Sequence, residues 1–271
     1  MVLLSPCKIN IGLYVTSLRN DGYHNIESIF YPIPLYDVVE VIIADQLQMT
    51  TTGIAIPSTP KGNICEQAYA LLKKDYTAIP NVHIHLHKCN PIGAGLGGGS
   101  ANGTAVLKLL NAVCNLQLSD AAMLQYAAVL GSDCAFFVHN TACHVTGRGE
   151  VLTPITLDLS AYTILLVHPN IHIATATAFG GIVPQQPLYN LLQSIQQPVH
   201  NWRGSIHNQF EHNALSTHTI LSTIKDAMYH TGALYASMSG SGSSIYGIYA
   251  KGSITHNTIS PALSKYSYHI I

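Results

Sequence analysis

Charge is scarce in this sequence. Asp, Glu, Lys and Arg together make up 9% of the 271 residues, and the formal net charge is −1. That balance excludes the basic footprint of a nucleic-acid or membrane-surface protein. Cysteine is used six times (Cys7, Cys65, Cys89, Cys114, Cys134, Cys143), never in C-x-x-C spacing. Most of these lie in apolar segments, so buried free thiols in a reducing compartment are expected. No apolar run reaches a membrane span, and Lys8 and Asn10 interrupt the first apolar stretch. No signal-peptide pattern is read there, and a cytoplasmic location is expected. Internal repeats are absent too. The 15 histidines are scattered, with a short alternating group at His83, His85 and His87 on one strand face, and no metal site is read among them.

What the sequence does have is glycine in one place. Between Pro91 and Ala101 run Ile92, Gly93, Ala94, Gly95, Leu96, Gly97, Gly98, Gly99 and Ser100, with five glycines in seven consecutive positions. Upstream, Val82, Ile84 and Leu86 alternate with the three histidines, the period of a half-buried strand. Downstream, Ala101, Ala105, Val106, Leu109, Leu110 and Val113 recur at helical spacing. Strand, glycine loop, helix is an order that presents free N–H groups and about half a positive charge to a phosphate. A solvated linker would be flanked by polar sequence instead. The segment fits G-x-G-x-x-G, but no second parallel strand carries the ribose-binding acid; Asp120 follows Ser119 as a first-turn acid follows an N-cap. The Walker pattern fails because no Lys-Ser/Thr follows the last glycine.

Elsewhere the pattern predicts strands over Val2–Val15, Ile26–Pro34, Asp37–Ile43 and Thr163–Val167, and a strand–turn–strand unit over 232–250. Helices are predicted over Asn63–Lys74, Ser119–Leu130, Phe210–Ala214 and Thr219–His230. Gln46–Pro60 reads as irregular, and 182–201 as loops or short helices. The mixed order indicates α+β. Lys8 falls inside an apolar strand, an expensive place for a charge without a partner.

Three features call for one explanation: a strand lysine near the start, a glycine loop at a helix start, and a second loop, Ser239-Gly240-Ser241-Gly242, near the end. Together they resemble the GHMP kinase superfamily of galactokinase, homoserine, mevalonate and phosphomevalonate kinases. Within it, Ser5-Pro6-Cys7-Lys8-Ile9-Asn10, Arg19-Asn20-Asp21-Gly22-Tyr23-His24 and Gly131-Ser132-Asp133 resemble the branch acting on a cytidine-diphosphate-linked polyol. Gly147-Arg148-Gly149-Glu150 and Asn208-Gln209-Phe210-Glu211 also fit. The resemblance implies an α+β two-lobed fold, with a ribosomal protein S5 domain 2-like N-terminal lobe (1–155), a ferredoxin-like C-terminal lobe (156–271) and a cleft for the active site. It implies transfer of the ATP γ-phosphate to the 2-hydroxyl of cytidine-diphosphate-linked 2-C-methylerythritol, in the non-mevalonate route to isoprenoids.

Residue by residue, the resemblance makes Asp133 the general base and Lys8 the cation beside it. It gives residues 91–101 to the ATP phosphates and Asn63 and Lys88 to the nucleotide side. Tyr23 and Phe179 would sandwich cytosine, His24 would bond its edge, and Asn10 would lie near the diphosphate and polyol. Ser239, Gly240, Ser241 and Gly242 would close over the substrate phosphates. Alone, Asp133 also fits a turn aspartate, and Lys8 a strand-edge lysine. Two departures stand out: Cys7 replaces a usual alanine, and Ala101 replaces a serine found in many members. With no acid in the first turn of that helix, Mg²⁺ is expected on ATP oxygens and water, without protein ligands. The expected partners are the small-molecule substrate and ATP, and the expected state is a monomer or weak homodimer. Other GHMP kinases (mevalonate-type or sugar) and a non-catalytic nucleotide-binding member are the competing readings. Asp21-Gly22-Tyr23-His24 argues against the first, and retention of Lys8 with Asp133 against the second.

Overall fold

The computed structural model describes residues 1–58, 60 and 62–271. The chain opens with two long strands, β1 (Val2–Leu18) and β2 (His24–Ile43), then a short one, β3 (Gln48–Gly53). Helix α1 (Ile64–Asp75), strand β4 (Val82–Lys88) and helices α2 (Gly98–Val113), α3 (Asp120–Leu130) and α4 (Phe136–His139) follow. Strands β5 (Cys143–Thr146), β6 (Val151–Pro154) and β7 (Tyr162–His168) lead to the short helices α5 (Thr175–Gly180) and α6 (Leu191–Ser194). The chain ends with α7 (Glu211–Thr217), α8 (Thr219–His230), β8 (Tyr235–Met238), β9 (Ile245–Ala250), α9 (Pro261–Ser264) and β10 (Ser267–Ile270).

Packing divides these elements into two compact units. Unit one comprises Met1–Lys8, Pro32–Ile92 and Gly97–Thr141; unit two comprises Ile9–Tyr31, Gly93–Leu96 and Ala142–Ile271. Each unit is therefore discontinuous along the chain, whereas the sequence reading is of two consecutive lobes.

In unit one, β4 pairs antiparallel with the second half of β2, from Val38↔His87 to Ile43↔Val82. Its other edge pairs parallel with β3. The β3 strand corrects the irregular reading of Gln46–Pro60, of which Thr59 lies outside the described residues. The segment Gln-Met-Thr-Thr-Thr-Gly has no apolar alternation, yet it is rich in β-branched threonine. Its hydroxyls meet the histidine stripe: Thr50 Oγ1 lies 2.8 Å from His83 Nε2, and Thr52 Oγ1 lies 2.9 Å from both His85 Nε2 and His87 Nδ1. Helices α1 and α2 pack together, with α3 against both. Asn63 caps α1, its side chain accepting from the Cys65 N–H while Glu66 accepts from the Asn63 N–H, a capping box worth about 1 kcal/mol.

In unit two, the first half of β2 pairs with β5, from Ser28↔Val145 to Phe30↔Cys143. Hence β2 is one continuous strand where the sequence predicts two. Its prolines, Pro32 and Pro34, fall between the stretches paired to β5 and to β4, where no ladder N–H to either is lost. A second sheet runs β10-β7-β9-β8, every pair antiparallel. With α8 before β8 and α9 before β10, that order is the ferredoxin-like βαββαβ arrangement. Its core joins Leu165, Val167, Ile224, Met228, Met238 and Ile245 with Leu13 and Val15 from β1.

All six cysteines are free, and Cys7, Cys65, Cys134 and Cys143 are buried; Cys89 is exposed. Burial pushes the Cys7 and Cys65 thiols up to about 12. No helix among the described residues is long and apolar enough to cross a membrane.

Candidate active site

Within unit one, β1 delivers Lys8 into the interior, where its side chain is 4% exposed and its Nζ lies 3.5 Å from Asp133 Oδ2. Burial lowers the Lys8 pKa; the Asp133 charge and hydrogen bond oppose that and pull it back up. Asp133 itself is 32% exposed, so it faces solvent on one side and the ammonium on the other. It stands in the turn between α3 and α4, closed by Cys134 N–H on the Gly131 carbonyl at 3.1 Å. The Thr104 hydroxyl of α2 donates to the Cys134 carbonyl at 2.9 Å and ties that turn to the glycine-led helix.

The same helix begins beside this pair. Gly97, its N-cap, has φ +70. A Cβ there would sit 3.0 Å from the Phe137 ring and 3.2 Å from Lys8 Cε, so both the backbone sign and the space demand glycine. Helix α2 has no side-chain cap and no acid in its first turn. The first-turn N–H groups, from Gly98, Gly99 and Ser100, are therefore left for an external acceptor. Ala101 is buried and its N–H returns to the Gly97 carbonyl at 3.0 Å. A buried cation, a carboxylate and an open helix N-terminus thus share one neighbourhood.

Below this turn lies a polar network that the sequence did not reveal. Lys88 forms a buried ion pair with Asp37. Asp37 Oδ1 accepts from the N–H groups of Cys89 and Asn90, each at 2.8 Å, and Oδ2 from Asn102 Nδ2 at 3.0 Å. Asn102 also donates to the Ser5 hydroxyl at 3.0 Å. A Cβ on Gly98 would lie 3.0 Å from Lys88 Nζ, so the ammonium supports the helix start from beneath. An acid at the head of an apolar strand (Asp37-Val38-Val39) was the available signal, since a buried carboxylate demands partners. Asp37→Asn is expected to lower stability by about 2–3 kcal/mol, the scale of a charged hydrogen bond. Urea titration checks it, and an unchanged midpoint would mean the pair is dispensable.

Within unit two, the first part of the glycine stretch meets the second loop. Ala94 and Leu96 are each 2% exposed and anchor the segment, while Ile92 and Gly93 are exposed. Gly95 has φ +78, and a Cβ on it would fall 1.9 Å from the Ser239 carbonyl oxygen. The Ser239 hydroxyl donates to the Gly95 carbonyl at 2.8 Å and accepts from the Asn10 N–H at 3.2 Å. Ser244 N–H reaches the Ala94 carbonyl at 3.2 Å, and Gly242 N–H closes on the Ser239 carbonyl at 3.0 Å. Ser239, Gly240 and Gly242 are buried, and Ser241 is half-buried with its Oγ 3.3 Å from Thr175 Oγ1. Asn10 is buried, its amide donating to the Ser28 hydroxyl at 3.0 Å.

The aromatic residues also lie in unit two. His24 stacks on Phe179, ring centroids 5.1 Å apart at 23°, and Phe210 meets Phe179 edge-on at 4.8 Å. Tyr23 is exposed, and the Arg148 guanidinium sits 4.9 Å from its ring centroid. Arg148 and Thr175 were not singled out from sequence; Arg148 at least belongs to the Gly147–Glu150 turn. A separate cleft of about 560 Å³, lined by Tyr14, Gln186, Tyr189, His207 and His212 among others, holds none of the predicted site residues.

Two family models match this chain, both of GHMP kinases: "GHMP kinases N terminal domain" over residues 63–141 and "GHMP kinases C terminal" over 190–256. The 4-diphosphocytidyl-2-C-methyl-D-erythritol kinase of Cytophaga hutchinsonii is 45% identical over 250 residues, covering 92% of each chain. That of Bacteroides fragilis is 42% identical over 254 residues, again 92% of each. A crystal structure of 4-(cytidine 5'-diphospho)-2C-methyl-D-erythritol kinase superposes with TM-score 0.85 and 25% identity, over 100% of this chain and 98% of that one. The chain therefore belongs to the GHMP kinases, and among them to the 4-diphosphocytidyl-2-C-methyl-D-erythritol kinase family.

Proposed function

We propose that this chain transfers the γ-phosphoryl group of ATP to the 2-hydroxyl of 4-diphosphocytidyl-2-C-methyl-D-erythritol, a step of non-mevalonate isoprenoid precursor synthesis. The observation that carries the reading is the Lys8–Asp133 pair beside the uncapped start of α2. Phosphoryl transfer asks a protein for positioning and charge neutralisation more than for covalent chemistry. The substrate oxygen attacks the γ-phosphorus, the bond from that phosphorus to the β,γ-bridging oxygen breaks, and ADP leaves. Asp133 takes the hydroxyl proton, and its partial exposure leaves it open to an alcohol. Lys8 offsets negative charge as the phosphoryl group moves.

Residues 91–101 receive the ATP phosphates on main-chain N–H groups. Lys88 serves the nucleotide through the first turn of α2, and Asn63 flanks that side from the head of α1. Mg²⁺, carried on ATP oxygens and water, would neutralise the triphosphate. Tyr23, His24 and Phe179 read the cytosine, Asn10 lies toward the diphosphate and polyol, and Ser239–Gly242 close on the substrate phosphates. Residues 1–155 form the ATP-binding domain in this reading, and 156–271 the C-terminal one.

A coupled ADP-release assay tests it, with the cytidylyl polyol offered beside mevalonate and homoserine. ADP release is expected with the first alone. Tyr23→Ala should raise KM for the cytidylyl substrate about tenfold, the worth of one aromatic contact, and leave KM for ATP unchanged. Turnover of mevalonate or homoserine instead, or ATP binding with no polyol consumed, would replace this reading.

A further inference from the structure

Residues 208–211, Asn-Gln-Phe-Glu, have no role in the chemistry above, yet their polar side chains are committed to particular backbone atoms in unit two. Asn208 is 3% exposed. Its Nδ2 donates to the carbonyls of Met238 and Gly240, both at 2.8 Å, and its Oδ1 accepts from the Phe210 N–H at 3.0 Å. One amide group therefore grips the carbonyls of the two residues that flank Ser239. Glu211, 8% exposed, accepts from the Met238 N–H at 2.7 Å and the Ser237 hydroxyl at 3.3 Å through Oε1. Its Oε2 takes the Lys225 ammonium at 2.6 Å. Gln209 anchors the segment on β1: its Oε1 accepts from the Val15 N–H at 2.7 Å, and its own N–H donates to the Leu13 carbonyl at 2.8 Å.

Ser239, held at both ends, is the residue whose hydroxyl bonds the Gly95 carbonyl of the glycine stretch. We propose that Asn208 and Glu211 are positioning residues for the phosphate-handling loops: they fix the direction of the 238–240 peptide units and, through Ser239, that of Gly95. This rests on the kinase reading of those two loops. The chemistry restricts the choice of residue, because only a carboxamide supplies two N–H donors for two carbonyls and an oxygen for a third group. Preorganised dipoles favour the transition state because they need no reorientation as charge moves. A loop free to rotate its 238–240 peptides would hold ground-state ligands almost as well and catalyse less.

Asn208→Asp is the sharpest test, since it keeps the shape, removes both donors and sets a carboxylate against two carbonyls. The expected result is a kcat about a hundredfold lower, with KM for ATP and for the cytidylyl substrate within about threefold. Amide hydrogen exchange of 239–242, measured without ligands, should accelerate while β7 and β9 amides keep wild-type rates. Combined with Ser239→Ala, the loss in kcat should be less than the product of the single losses, because both changes release the same loop. If Asn208→Asp does not fold, Asn208→Ala is read the same way. The proposal is overturned by a folded variant with kcat within twofold of wild type, by exchange that rises equally in β7 and β9, or by multiplying effects. Failure of both variants to fold would overturn it too, making Asn208 a residue of folding alone. An inactive wild type would instead count against the kinase reading, and the exchange measurement would still decide the brace.

Discussion

Asp133→Asn is expected to lower kcat about a thousandfold, within the range lost when a general base is removed, while KM for ATP stays within about threefold. The amide keeps the volume of the carboxyl and its place in the turn between α3 and α4, which main-chain and Thr104 bonds hold independently of the side chain. What disappears is a group able to take the hydroxyl proton. In the proposed reading the ATP phosphates lie on the main-chain groups of 91–101, which the substitution does not touch. A second consequence follows at Lys8. Its ammonium loses the carboxylate at 3.5 Å that opposed the effect of burial, so its pKa is expected to fall further. Single-turnover quench measurements with saturating substrates isolate the chemical step from product release. A variant that transfers phosphate at the wild-type rate would reduce Asp133 to a turn aspartate, the other role its sequence position fits.

The parts of this site that were legible in sequence are those written in local chemistry. The strand before the glycines shows in Val82, Ile84 and Leu86 alternating with histidines, and α2 in its apolar spacing. Lys8 shows because a charge inside Cys-Lys-Ile-Asn-Ile needs a reason. One helix end was readable as a cap, Ser119 for α3, whereas Asn63, read as the first residue of its helix, caps α1. What sequence could not supply was contact between distant segments. Asp37 meets Lys88 across 51 positions, and Gly95 meets Ser239 across 144. Neither contact leaves a periodic trace. The sequence pattern splits β2 into Ile26–Pro34 and Asp37–Ile43 where the structure has one strand, and the polar edge strand β3 offered no buried face to detect. The resemblance to GHMP kinases reached Asp133 and the Ser239 loop only because their motifs are recognisable; their surroundings carry the physical explanation.

Lys8→Met is expected to separate activity from stability: kcat should fall about a hundred- to thousandfold, the cost of losing one preorganised charge-stabilising group, with no loss of folding stability. The ammonium is buried, and desolvation is the largest effect on it, lowering its pKa despite Asp133. Replacing a whole buried ion pair by apolar side chains is often neutral or stabilising, and removing one partner is costly only where it leaves the other charge buried. Asp133 is left behind, but its exposure lets water take up part of the lost interaction. The pH dependence gives the sign. An unfolded lysine titrates near about 10.4, and the folded Lys8 below that. Between the two values the unfolded chain binds more protons, so through this group wild-type stability rises with pH there; below the folded value its cost is constant and complete. Methionine has no such cost at any pH. The stability of Lys8→Met relative to wild type should therefore be greatest at neutral pH and shrink toward pH 10, as measured by paired urea titrations. A variant less stable than wild type at neutral pH, with a deficit that narrows on the alkaline side, would mean that Lys8 holds the fold together, and the role assigned to it as a catalytic charge would lose its physical basis.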